Sequence, residues 1–160
     1  MTPFPKPPNG FVLHHSLTQD GQSVSWPAIR RHHTTVKGWL DIGYHVGVEL
    51  AGAEYEALLG RPWDMEGAHC PQDAMNSHTL GVCLVGDFDK APPPREQMVV
   101  LFDRVLIPFG RNLGIPLNTK TITFHRDHAR DGRTCPGTQF TAALLEMYLA
   151  EFVPKGGEIV

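Results

Sequence analysis

The sequence predicts an α/β fold, and three observations carry that prediction. Strand-like and helix-like stretches alternate along the chain. Leu80-Gly-Val-Cys-Leu-Val85 is a continuous apolar run ending in Gly86, as expected of a central strand covered on both faces. Two further runs, Phe11-Val-Leu-His14 and Thr121-Ile-Thr-Phe124, lead directly into histidines, and open α/β sheets carry their chemistry at strand ends.

Each element has a local reason. Phe11–His14 follows the turn pair Asn9-Gly10 and reads as a short buried strand. Ser25 is placed to cap a helix whose first turn holds Pro27, with Trp26, Ile29, His33 and Val36 on one face and an end before Gly38. His45–Leu50 and Glu54–Leu58 flank Ala51-Gly52-Ala53, which predicts a β-hairpin. After Pro92-Pro93-Pro94, helical spacing joins Met98, Leu101, Phe102, Val105 and Phe109, and Pro108 is expected to kink or interrupt that helix. Thr138 is placed to cap a last helix carrying Phe140, Leu144, Met147 and Tyr148, with its end near Gly156-Gly157.

Composition narrows the function. The 160 residues include 14 Lys plus Arg against 17 Asp plus Glu, a formal charge of −3. Nucleic-acid binders need a cationic surplus to displace counterions, so that class is disfavoured. With 41% hydrophobic and 19% charged residues the chain is of globular type, and no apolar run approaches the roughly 20 residues of a membrane span. One domain is expected over residues 11–153, with an extended, proline-stiffened arm at 1–10 and a tail at 154–160. The amino terminus lacks a secretory signal, and Cys70, Cys83 and Cys135 do not make a disulfide framework. A cytosolic site of synthesis is therefore expected.

Nine histidines are many for this length and raise the prospect of metal or acid–base chemistry. His14, His125 and Cys135 offer two imidazoles and a thiolate, a three-donor zinc set that leaves a fourth position for water. Their separation in sequence carries no proof.

Several motifs occur in a consistent order: Phe11-Val-Leu-His-His-Ser-Leu-Thr18, Gly38-Trp-Leu-Asp-Ile-Gly-Tyr-His45, Gly60-Arg-Pro-Trp63, Gly67-Ala-His69, Asn76 with Leu80–Gly86, His125-Arg-Asp127 and Cys135-Pro-Gly137. Together they resemble the type 2 N-acetylmuramoyl-L-alanine amidases, the family of amidase-type phage lysozymes and peptidoglycan recognition proteins. The resemblance runs from about Phe11 to Phe152. It implies a single domain with a central mixed β-sheet flanked by helices, and hydrolysis of the amide between N-acetylmuramic acid and L-alanine in peptidoglycan.

It also implies roles residue by residue. His14, His125 and Cys135 match the ligands of one Zn2+ per chain, His14 being preferred to His15. Tyr44 matches the tyrosine beside the zinc-bound water. His69 and Asn76 match positions lining the groove for glycan and stem peptide. Anchored on Cys135, Arg133 matches a catalytic lysine or threonine; Arg130 is its rival, because Cys135 follows His125 by ten positions where the family usually has eight. His15 and His33 are expected to be packed residues, His32, His78 and His128 solvated ones, and Cys83 an inert buried thiol.

The implied protein is a monomeric phage or prophage endolysin. It would be made without a signal peptide in the host cytosol and would reach peptidoglycan after membrane permeabilisation, with no membrane insertion. A cytosolic muropeptide-recycling amidase and a non-catalytic peptidoglycan-binding module are the alternatives. Retention of all three ligands argues against the binding module.

Overall fold

The computed structural model describes residues 1–19 and 25–153. Its described strands form one five-stranded sheet in the order β3-β2-β4-β1-β5. The strands are β1 (Gly10–His15), β2 (Val46–Ala51), β3 (Glu54–Leu59), β4 (Thr79–Leu84) and β5 (Ile122–Phe124). Pairing is parallel for β1 with β4, β1 with β5 and β2 with β4, whereas β2 and β3 form the antiparallel hairpin. The apolar run at Leu80 is the central strand, and every residue of β1 and β4 is buried. Strands covered on both faces need uninterrupted apolar sequence, which is why neither shows alternation.

On one face of the sheet, Phe11, Leu13, Val48 and Leu84 join the main core with Met98, Phe102, Phe140 and Tyr148. Those partners come from α2 (Arg95–Val100) and its continuation, from α5 (Ala142–Phe152) and from the loop before α5. A smaller cluster of Trp26, Ile29, Ile42, Cys83 and Val85 lies under α1 (Trp26–Arg31). None of the described helices is long and apolar enough to cross a membrane.

The local expectations meet different outcomes. Ser25 stands at the start of α1 but makes no side-chain cap; the buried Glu49 carboxylate of β2 accepts the Trp26 N–H at 2.6 Å instead. A carboxylate at a helix amino terminus satisfies an orphan donor and the helix dipole together. At Pro108 the α-helix is interrupted, as expected, but not ended. Between α2 and α3 (Ile107–Leu113) the chain widens into a π-helical stretch, Leu101–Leu106, and then continues as α-helix. A wide turn absorbs the missing proline donor without ending the helix.

Thr141, rather than Thr138, caps α5 by accepting the Leu144 N–H at 3.2 Å. The helix runs to Phe152, and the tail at 154–160 with Gly156-Gly157 lies outside the described residues. The amino-terminal arm is extended but docked: Glu66 N–H donates to Thr2 O at 2.8 Å, and Phe4 stacks on His45 at 5.6 Å.

Close packing under α1 has a clear test. A Cβ at Gly47 would fall 2.4 Å from the Trp26 ring. Gly47→Ala should therefore overpack this layer and cost about 1–3 kcal/mol. Thermal unfolding should show a drop of roughly 2–12 °C; an unchanged melting temperature would mean that Trp26 has room to move.

Candidate metal centre

His14 is the fifth residue of β1 and faces the side opposite Phe11 and Leu13, beside Cys83 of β4. His125 opens α4 (His125–His128) immediately after β5. Cys135 lies in the following loop. These three residues bring one donor atom each within 4.8 Å of one another, although the sequence separates them widely. His15 points to the other face, where its Nδ1 accepts the Phe88 N–H at 3.2 Å.

Protonation of the histidines is fixed from inside the sheet outward. The Thr79 carbonyl can only accept, so the 3.3 Å contact places the proton of His69 on Nε2. His69 Nδ1 is then an acceptor, and His14 Nε2–H donates to it at 3.1 Å. His14 Nδ1 is left with a free lone pair, directed at Cys135 Sγ 3.7 Å away. Metal-binding histidines are commonly oriented through their second nitrogen in this way. Gly81 makes the arrangement possible, since a Cβ there would lie 2.4 Å from the His69 ring.

Burial, reinforced by neighbouring imidazoles, holds His14 well below its ordinary pKa. Burial and the Arg133 charge bring His125 down to about 4. Both rings are thus neutral donors near pH 7. Burial pushes the Cys135 thiol up to about 11, against the opposing pull of the His15 N–H and of Arg133 and Arg126. A divalent cation reverses that balance, because a coordinating thiol loses its proton. Two neutral imidazoles and one thiol fit zinc by donor type.

Tyr44 lies at the edge of this group, its ring centroid 5.1 Å from that of His14. Burial and the Cys83 and Cys135 thiols raise its pKa well above 10, so the phenol stays a hydrogen-bond donor. Arg133 NH1 sits 3.0 Å from His125 Nε2, and Asp131 holds its Nε at 2.8 Å. Arg130 instead points outward with 90% of its side chain exposed, against 36% for Arg133.

Other positions differ from expectation. His69 is buried against His14 with both ring nitrogens engaged, by His14 Nε2 and the Thr79 carbonyl. Asn76 Oδ1 accepts the N–H groups of His69 and Cys70, both at 2.8 Å, and shapes the turn that carries His69. His128 is not solvated; it bonds Thr123 Oγ1 at 2.9 Å and Asp73 at 3.1 Å, tying the lengthened loop to the 72–77 segment.

Sequence reasoning missed Arg126 and Asp89, which hold the cysteine loop. The motif His125-Arg-Asp127 was visible. The arginine's partners were not, because they are main-chain carbonyls 8, 11 and 14 residues away.

Comparison with known proteins agrees with this geometry. Residues 4–138 match the family model described as N-acetylmuramoyl-L-alanine amidase. An endolysin of Klebsiella phage KP32 is 32% identical over 124 residues, covering 78% of this chain and 77% of that protein. An endolysin of Enterobacteria phage K11 is 39% identical over 84 residues, a match spanning 52% of each chain and so about half of that relative's length. The solved N-acetylmuramoyl-L-alanine amidase LysC from Clostridium intestinale URNW shares the fold, with a TM-score of 0.74 at 24% identity, covering 89% of this chain and 85% of that one.

Burial of so many imidazoles predicts acid sensitivity. Burial brings His33 and His45, like His125, down to about 4, and lowers His14 and His69 as well. Unfolded imidazoles take up protons near pH 6.5. Between pH 6.5 and 4 the unfolded chain therefore binds more protons, and stability falls as pH falls. In chelator, the melting temperature should drop steadily across that window. A flat profile from pH 6.5 to 5 would show that the rings are not held neutral.

Proposed function

The chain belongs to the N-acetylmuramoyl-L-alanine amidase family, and we propose that it is a zinc-dependent amidase. Its substrate would be peptidoglycan and its scissile bond the amide between N-acetylmuramic acid and L-alanine. The observation that carries this reading is the convergence of His14, His125 and Cys135 within 4.8 Å, with the His14 lone pair turned inward. His14, His125 and Cys135 would hold one Zn2+ per chain. Bound there, zinc supplies a Lewis acid for a carbonyl oxygen and the capacity to make a nucleophile from water at neutral pH.

The chain's own groups supply the rest. An amide carbonyl is a weak electrophile, so the negative charge that builds on its oxygen needs donors already in place. Tyr44, protonated throughout the working range, donates a hydrogen bond to that oxygen or orients the attacking water; it is not a base. Arg133 keeps its positive charge and favours developing negative charge, but cannot serve as a general acid. His69 keeps His14 in the tautomer that leaves Nδ1 free. Asn76 holds the wall of the site through the turn at His69.

The catalytic unit is read as residues 11–153 acting as a monomer, with the docked segment 1–10 against it. The phage endolysins among its relatives support an endolysin role, with the protein made in a host cell and acting on the wall after release.

Digestion of purified sacculi tests the reaction. New amino-terminal alanine should appear without new reducing sugar ends; reducing ends would mean a glycosidase, and an unchanged wall would mean a binding module. The purified protein should carry one zinc per chain, and Cys135→Ser should lose it on dialysis, because a neutral hydroxyl replaces the thiolate.

Tyr44→Phe should keep zinc and lower turnover by about 10². Near-normal turnover would reduce Tyr44 to a packing residue. Arg133→Ala should lose about a hundredfold in turnover while Arg130→Ala stays near wild type; the reverse pattern would exchange their roles.

A further inference from the structure

The ligand Cys135 is the one member of the metal group that no strand or helix carries. Its loop leaves β5 and α4 and returns to α5 without regular structure of its own. Irregular backbone needs partners for its polar groups, and here many come from two side chains of opposite charge.

Arg126 gathers the carbonyls. Its NH1 donates to Thr134 O at 3.2 Å and Gly137 O at 2.7 Å, and its NH2 to Phe140 O at 2.6 Å. Its main-chain N–H donates to Cys135 O at 2.8 Å, and its guanidinium carbon lies 4.4 Å from the Phe124 ring centroid. Asp89 gathers the donors. One of its oxygens accepts Thr134 Oγ1 at 2.9 Å and the other accepts the Thr138 N–H at 2.8 Å. The neighbouring Phe88 carbonyl accepts the Gln139 N–H at 2.8 Å. Thr134 before Cys135 and Gly137 and Thr138 after it are therefore tied, as is the Cys135 carbonyl.

We propose that Arg126 and Asp89 are positioning residues, a two-sided clamp that fixes the Cys135 loop so that its sulfur meets His14 and His125 at the metal. Neither touches the metal or the substrate. The clamp rests on the zinc reading given above. A planar, multi-donor cation serves all three carbonyls at once, whereas an ammonium is a compact point charge without that fork. A cysteine held this way meets the ion without first losing the freedom of its loop, and supports of this kind typically govern metal affinity by 10–100-fold.

The test uses Co2+ as the probe, because a thiolate bound to cobalt gives a sulfur-to-metal charge-transfer absorption that histidine ligation lacks. Arg126→Lys keeps the charge but loses the fork. Thr134→Val removes only the hydroxyl that reaches Asp89, and carries the test if the first variant does not fold. Affinity is read by competition with a chelator, alongside the thiolate absorbance per bound cobalt and the melting temperature of the metal-free protein.

In Arg126→Lys, cobalt affinity should fall by about 10–100-fold, and the thiolate absorbance per bound ion should fall with it. Thr134→Val should shift both in the same direction. A residue that merely stabilised the fold would lower melting and leave the other two readouts alone. Wild-type affinity and thiolate absorbance in whichever variants fold would therefore overturn the clamp. A wild-type protein that takes up no cobalt would overturn the metal reading itself, and the clamp with it.

Discussion

Strand β1 is paired in parallel on both edges and covered on both faces, and the meeting of His14, His125 and Cys135 depends on that constraint. Its register with β4 sets His14 beside Cys83, and its register with β5 sets Leu13 beside Phe124, one residue before His125. A slip of one residue on β1 would turn His15 toward the site and carry Phe11 and Leu13 out of the main core. The apolar side chains at alternate positions make such a slip costly. The same burial that holds the sheet together therefore fixes which histidine faces His125 and Cys135.

Burial on this scale would be unfavourable for imidazoles without partners. The chain resolves this with donors and acceptors supplied by its own main chain. Thr79 O receives His69, His69 receives His14, and His45 is bound on both sides by Met65 O and the Gly81 N–H. These links set the tautomers of His69 and His14 and leave His14 Nδ1 facing the Cys135 sulfur. The result is a neutral donor set, prepared to bind a cation and sensitive to acid. Opposite charges on Arg126 and Asp89 do for the cysteine loop what the sheet does for the histidines.

Much of this was legible from the residues. The apolar runs at Phe11 and Leu80 read as buried strands because a strand covered on both faces leaves no other pattern. The hairpin at Gly52 read correctly because a short turn between β-rich runs has few alternatives. Local caps were less legible. Ser25 and Thr138 had suitable side chains, yet Glu49 and Thr141 stand where the helices begin. Pro108 read correctly as an interruption, and the structure adds its form, a π-helical stretch that carries the helix past the proline.

The sequence by itself determined the α/β class, the buried strands, and the donor types His14, His125 and Cys135, because residue chemistry and short-range periodicity are local properties. Its ordered motifs also placed the chain in its family. Only the tertiary structure decided that His69 lies buried against His14 Nε2. It also decided that Arg133 rather than Arg130 stands at His125, and that Arg126 and Asp89 hold the cysteine loop. Those decisions turn on main-chain carbonyls and amides brought together from distant parts of the chain. Every residue carries such groups alike, so no side-chain pattern announces where they will meet.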